Sequence, residues 1–415
     1  MKCRCLFNKI WFDSARKTNL NCYGKFKYLI MNCKYRFDVI VIGAGPAGST
    51  AAYLLASHGY RVLILDKSTF PRGKLCGGLL TWKTVKLLEN IFQTTTEFLK
   101  SIGVITCSTF KYQVVSNTGT SFKSRLDYPF HFVHRTAYDA FWLNLACRAG
   151  ADFRSGEKVI SLGYLNSEGK ITTDKGNEFW GKFIFGADGA VSKVRGWLAS
   201  KNFIHSDWKS NLATALEVLV PSRQTPALPD YPHIYFGHIP WGYAWCFPGN
   251  RFRAIGICGL NAKAGRFLRN GYKTFLDSIP ISREHIPTPA SHALPYGNYL
   301  TNPGYGNVLL LGDACGLADP LLGEGIYYAH KSSQLAAEAV ERFYFEPPAA
   351  LPEYARRLNQ VINSELKYVY IGRQIIFSLP GAWPYRMLTS LLKIMPKKCE
   401  ETIQGQRSFK WFRPV

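Results

Sequence analysis

Residues Phe37–Lys67 read FDVIVIGAGPAGSTAAYLLASHGYRVLILDK, and the order of residue types dictates one supersecondary unit. The apolar run from Phe37 predicts a buried strand. A glycine turn follows, then a helix of small residues ending near Gly59, then a second apolar strand ending at Asp66. Gly43, Gly45 and Gly48 hold the G-x-G-x-x-G spacing directly after the strand and at the opening of the helix. The first permits a tight turn, the second lets a pyrophosphate approach the backbone, and the third lets helix and strand pack closely. The helix N-terminus then offers unpaired N–H groups and the positive end of its dipole to phosphate. Asp66 is placed to accept hydrogen bonds from a ribose, with Lys67 beside it.

Such a cradle serves NAD or FAD, and a distant segment separates the two. In LLLGDACGLADPLLGEGIYYAHKSSQLAAEAVERF, Leu309–Phe343, Asp313 ends a strand and a helix starts around Glu324–Ile326. A flavin reaches farther than its pyrophosphate, so its ribityl chain and ring need a second anchor. Asp313, after Gly312, can accept from ribityl or phosphate-proximal hydroxyls, and Gly323 and Gly325 let backbone amides close on the ring. The helix N-terminus there favours negative charge at the flavin N1/O2 edge. A third strand-to-helix turn, GADGAVSKVR at Gly186–Arg195, carries Asp188 and Gly189 at its apex; it faces the flavin or a passing nicotinamide nucleotide, or is a plain turn. No second G-x-G-x-x-G occurs. NADPH, as reductant, must therefore bind without a Rossmann unit of its own, or a protein donor supplies the electrons.

Working outward, 415 residues with 47% hydrophobic content suffice for a large core. The formal charge of +23 favours an acidic partner. No zinc-finger spacing or aromatic nucleic-acid signature accompanies it, so membrane or phosphate is expected rather than nucleic acid. The 11 cysteines include no Cys-x-x-Cys pair and the nine histidines fall in no His-Glu-x-x-His metal motif, so no metal site is expected, and a reduced, cytoplasmic compartment is. Hydrolase elbows and Walker loops are missing.

Residues 1–34 form a basic extension whose single acid is Asp13. Either a targeting segment or a start at Met31 accounts for it. The expected division assigns 35–205 and 296–345 to the dinucleotide-binding domain, 206–295 to a β-rich insert, and 346–415 to a helical tail. The uncharged run Gln374–Tyr385 is too short to span a bilayer and is broken by Pro380 and Pro384. Two readings stay open for the tail: a cap on the core, or an interfacial helix with Arg373, Arg386, Lys393, Lys397 and Lys398 as basic flanks.

These residues resemble the geranylgeranyl reductase family of FAD-dependent oxidoreductases, within the p-hydroxybenzoate hydroxylase-like flavoproteins. The likeness runs from about Phe37 to Arg342. It rests on PRGKLCGG (Pro71–Gly78), HRTAYDAFW (His134–Trp142), GYAWCFPG (Gly242–Gly249) and GDACGLADPLLGEGIYYA (Gly312–Ala329). The resemblance implies a Rossmann-like FAD-binding domain of the α/β class with an interleaved β-rich substrate domain and a C-terminal helical region. It also implies FAD contacts from Ala47, Asp66, Cys76, Gly77, Arg135, Val159, Asp313, Gly325 and Ile326, with Gly78 in the same loop. Arg135 suits the role because a guanidinium forks onto phosphate or flavin oxygens. Gly249 and Leu322 depart from the lysine and threonine frequent in the family, both near the expected substrate cavity.

The implied reaction saturates carbon–carbon double bonds of an isoprenoid lipid. An isolated alkene has no carbonyl to delocalise charge, so a proton must reach one carbon as flavin N5 delivers hydride to the other, in a dry apolar tunnel. Tyr243, Trp245 and Phe247 alternate along a strand and either line that tunnel or fill a core. Basic side chains would meet the diphosphate or membrane end of the lipid. Cys76 is either a compact wall residue or the proton donor. The rival enzyme is a flavin monooxygenase or halogenase of the same fold; a non-catalytic flavin or lipid carrier is the rival from outside enzymes.

Overall fold

The structure, a computed structural model, describes residues 36–165, 168–204, 207–379 and 383–412. The basic extension 1–34, Met31 within it, and Pro380 lie outside the described residues. Among the described residues the strands form two sheets of eight strands each.

The first sheet grows from the opening βαβ unit. Strand Arg36–Ile42 lies parallel to Val62–Asp66 on one side and to Glu178–Gly186 on the other. Val308–Leu310 and Asp152–Ser155 extend it in parallel at the two ends. Val39–Ile42 and Val62–Asp66 are buried throughout. Both faces are covered, which is why these strands read as continuous apolar runs rather than alternating ones. The small residues of helix Pro46–Ser57 let it lie against the helix Ile326–Arg342, where the Ser333 hydroxyl donates to the Ala47 carbonyl at 2.7 Å.

The second sheet is mostly antiparallel, and its register decides what faces the site. Strand Gly242–Phe247 pairs with Phe252–Leu260, which pairs with Leu212–Pro221. Because side chains alternate, Tyr243, Trp245 and Phe247 share one face with Cys258, Gly256, Ala215 and Glu217. The opposite face carries Val218, Val220, Ile255 and Ile257 against Leu268, Tyr272 and Phe275 of helix Leu268–Ser278.

This sheet does not respect the expected domain division. Besides strands from 206–295 it takes in Leu79–Leu80, Ile105–Ser116 and Ser121–Val133, all assigned from sequence to the dinucleotide-binding unit. The joint is a parallel pairing of His233–Phe236 with Gln113–Ser116.

The tail is helical, as expected, and stitched onto both sheets. The Tyr354 hydroxyl donates to the Leu310 carbonyl at 2.8 Å, and Gln404 bonds the Trp82 amide and the Tyr128 carbonyl. Ile376, Phe377 and Leu392 enter the cluster containing Tyr243 and Trp245, so this part of the tail is a roof. Arg373, expected as a basic flank, is instead fully buried and donates to the Tyr296 carbonyl and the Asn211 side chain. Arg386, Lys393, Lys397 and Lys398 are exposed. No helix among the described residues is long and apolar enough to cross a membrane.

Candidate active site

The glycine turn is enforced by its neighbours. Gly43 has φ of +104°, and a Cβ there would lie 2.4 Å from the Ala187 carbonyl oxygen. A Cβ on Gly48 would fall 1.8 Å from the Gly43 oxygen, so any side chain at either position breaks the turn. Asp66 ties the turn to the end of the second strand: its carboxylate accepts from the Ala44 and Ser68 amides, each at 2.8 Å. A carboxylate has further lone pairs to offer ribose hydroxyls. Lys67 is exposed beside it. Val159 opens a strand and is buried, and that segment is tied to the Asp66 carbonyl through the Glu157 amide.

Cationic groups gather over this turn. A Cβ on Gly45 would sit 3.5 Å from the Arg72 guanidinium. Arg72 pairs with Asp139 at 3.3 Å, and Arg135 forks onto the same carboxylate at 2.7 and 2.9 Å. Burial works against charge on Arg135, but the Asp139 carboxylate and the Cys76 sulfur hold it firmly protonated.

The second anchor meets the first directly. Gly312 has φ of +53°, and a Cβ there would lie 3.2 Å from that of Ala47. Asp313 pairs with Lys74 at 3.4 Å and lies against Gly325. Gly325 caps the helix that starts at Ile326 without any side-chain cap, which leaves its first amides for an acceptor. Gly323, at φ of +71°, touches the Tyr243 hydroxyl. His292 lies in the field of Lys74, Asp313, Arg135 and Arg72, and its buried Nε2 has no hydrogen-bond partner among the described residues. Burial and the surrounding cations push it down to about 4, so it is neutral at pH 7. An orphaned imidazole nitrogen, an uncapped helix and two glycine-enforced gaps fit a bound flavin dinucleotide.

Asp188 is engaged within its own turn. Its carboxylate accepts from the Ser192 hydroxyl at 2.5 Å and from the amides of Lys193 and Val194. The side chain therefore caps its own helix, and what packs beneath Gly43 is the 187–188 backbone.

The Cys76 loop joins the two sheets. The Gly78 amide donates to Cys76 Sγ at 3.4 Å, and the Arg135 guanidinium also bonds the sulfur. A Cβ on Gly77 would lie 2.5 Å from the Phe247 ring, so the loop rests on the aromatic row. Tyr243 and Trp245 have ring centroids 5.7 Å apart, and Trp245 and Phe247 6.3 Å apart. The Tyr243 hydroxyl donates to the Leu322 carbonyl. Ile376, Phe377, Tyr385 and Leu392 cover the row from the tail.

One residue central to this arrangement went unnoticed in the sequence. Glu217, 2% exposed, accepts from the Cys76 amide at 2.9 Å and from Trp245 Nε1 at 3.1 Å. Burial pushes its carboxyl up to about 7, against the pull of those two donors and of Arg135. A Cβ on Gly256 would collide with the Trp245 ring at 2.3 Å, so glycine is what lets the indole reach across to Glu217. The available signal was a lone acid in the otherwise apolar strand LATALEVLVP, in phase with Ala213 and Ala215. Arg72, Lys74, Asp139 and His292 were likewise passed over.

Fold and site together define an FAD-dependent oxidoreductase, and the FAD binding domain family matches residues 36–238. The chain belongs to the geranylgeranyl reductase family of these enzymes. It is 30% identical over 328 residues to menaquinone reductase of Mycobacterium tuberculosis, covering 73% of this chain and 76% of that one. With geranylgeranyl diphosphate reductase of Rhodobacter capsulatus it shares 29% over 322 residues, 74% and 76% of the two chains. A geranylgeranyl bacteriochlorophyll reductase-like structure from Thermoplasma acidophilum superposes with a TM-score of 0.76 at 20% identity, covering 88% of this chain and 92% of that one. The halogenase PltM shares the fold at 0.64 and 18% identity, covering 82% and 75%.

Proposed function

We propose that this protein saturates carbon–carbon double bonds of an isoprenoid chain, with FAD held by Gly43, Gly45, Ala47, Gly48, Asp66, Arg135, Asp313, Gly325 and Ile326. The observation that carries this reading is the row Tyr243, Trp245 and Phe247, laid against the Cys76 loop and roofed by the tail. That surface is apolar, aromatic and closed to water, which suits an alkene and serves a charged substrate poorly. Reduced FAD supplies the hydride. The protein's own work is to hold the chain flat on the row, exclude water and deliver a proton.

The acidic end of the lipid is taken by Arg223 and Arg251. They line an open groove of about 410 Å³ with Phe252, at the hairpin turn beyond Phe247. This turn includes Gly249, where the family's lysine is replaced, so the arginines supply the positive charge from adjacent positions. Reducing equivalents come from NADPH or from a protein donor. Trp383, Met387 and Ile394 form an exposed apolar stripe beside Arg386 and Lys393, a surface suited to collecting substrate from an anionic bilayer.

The test is anaerobic. Purified protein is reduced with dithionite, candidate polyprenyl lipids are added, and flavin reoxidation is followed with product mass. Reoxidation with a gain of two hydrogens per bond is expected. Turnover that needs oxygen, with no polyprenyl compound accepted, would establish the monooxygenase or halogenase instead.

A further inference from the structure

We infer that Glu217 is the proton donor to the alkene, and that Cys76 is the wall against which it works. The inference rests on the reductase reading above. Its basis is position: the Glu217 carboxyl touches both the Cys76 loop and Trp245 of the aromatic row proposed above to hold the substrate chain.

The two candidate donors differ in what surrounds them. Cys76 Sγ accepts from the Gly78 amide and from the buried, permanently charged Arg135. Both contacts use the sulfur as an acceptor, and Cys76 is only partly buried. Glu217 also accepts two hydrogen bonds, but it lies deeper in the protein. It is almost wholly buried, and burial outweighs its hydrogen bonds, so at neutral pH a large fraction carries a proton. A general acid works best when its pKa lies near the working pH.

The groups facing Glu217 are few. The loop presents the Cys76 amide, the helix Arg135–Arg148 presents Arg135, and strand Gly242–Phe247 presents the Trp245 indole. Tyr272, on the helix behind the sheet, feels the same charge. His292 is paired with Ala215, one step along the same face, and is neutral at pH 7. None of these is a carboxylate that would share the proton.

The step would balance with reduced FAD as the hydride donor, which would be left oxidised. One alkene carbon receives the hydride, the other takes the Glu217 proton, the π bond is replaced by two C–H bonds, and Glu217 is left as a carboxylate. A proton from solvent restores it before the next bond.

Two measurements decide the matter. Infrared difference spectra of the FAD-loaded protein, without substrate, should show a protonated carboxyl band titrating near pH 7, absent in Glu217→Gln. Under anaerobic single turnover, the polyprenyl-dependent rate should fall as pH rises through the same range. Glu217→Gln, with FAD retained, should lose at least about 100-fold. Trp245→Phe removes a donor to the carboxylate, so it should move both titrations to higher pH, which a purely structural role would not do. A missing band at pH 6, or a Glu217→Gln protein that turns over at the wild-type rate, overturns the inference while leaving the reductase reading standing. Wild-type protein that reduces no polyprenyl compound overturns both.

Discussion

Both sheets bury carboxylates against backbone amides, with different results. On the parallel side, Asp66 accepts the Ala44 and Ser68 amides, and Asp188 accepts the Ser192 hydroxyl with the Lys193 and Val194 amides. They fix where the chain goes, and the glycines around them leave room for a cofactor's phosphates. On the antiparallel side, Glu217 accepts one amide and one indole, and burial pushes its carboxyl up to about 7. The first arrangement sets geometry; the second stores a proton. A site divided this way can keep its cofactor while its chemistry is altered, and the converse does not hold.

That asymmetry can be attacked from either side. The largest effect is expected at Asp139, which neutralises Arg72 and Arg135 at once. Asp139→Asn strands two guanidinium groups and should cost about 3–5 kcal/mol of stability. Urea unfolding and FAD content should fall together.

Next comes the pH dependence of stability. The folded Glu217 carboxyl lies near 7, against an ordinary value of 4.5. Between these values the unfolded chain ionises while the folded one stays protonated, so wild-type stability falls as pH rises through this window. The loss is about 3 kcal/mol on the usual conversion. Glu217→Gln lacks it, so urea midpoints of the two proteins should converge or cross between pH 5 and 7. Parallel curves would place the carboxyl elsewhere.

A smaller effect belongs to Tyr243→Phe, which removes the donor to the Leu322 carbonyl and should cost roughly 1 kcal/mol. FAD should be retained, and kcat/KM for the polyprenyl substrate should fall by no more than several-fold. Smallest of all is Cys76→Ser. FAD should stay bound and kcat should change by no more than about twofold; a larger loss would return the thiol to the chemistry.

The same division explains which parts were legible in the sequence. Gly43, Gly48 and Asp66 are readable because backbone sterics admit few residue types there, and neighbours a few positions away impose the constraint. Glu217 is different: its role depends on Trp245 and Cys76, brought to it by pairings 28 and 141 residues away. No local pattern carries that information. The second sheet's extent was hidden for the same reason, since the pairing of Gln113 with His233 has no local signature. Asp188 shows the reverse problem, because an acid at a strand-to-helix turn fits a helix cap as well as a ligand. Arg373 was misplaced because charge alone does not tell a flank from a buried anchor holding the Tyr296 carbonyl.

The roof over the aromatic row has a consequence in time. Ile376, Phe377 and Leu392 follow in the chain every strand that they cover. During synthesis the cofactor turn and both sheets leave the ribosome first, and the row stands open to water until these helices arrive. A ribosome-bound chain stopped before them should therefore display a sticky aromatic surface of the kind chaperones recognise. Covering the aromatic row and finishing the fold are then one event.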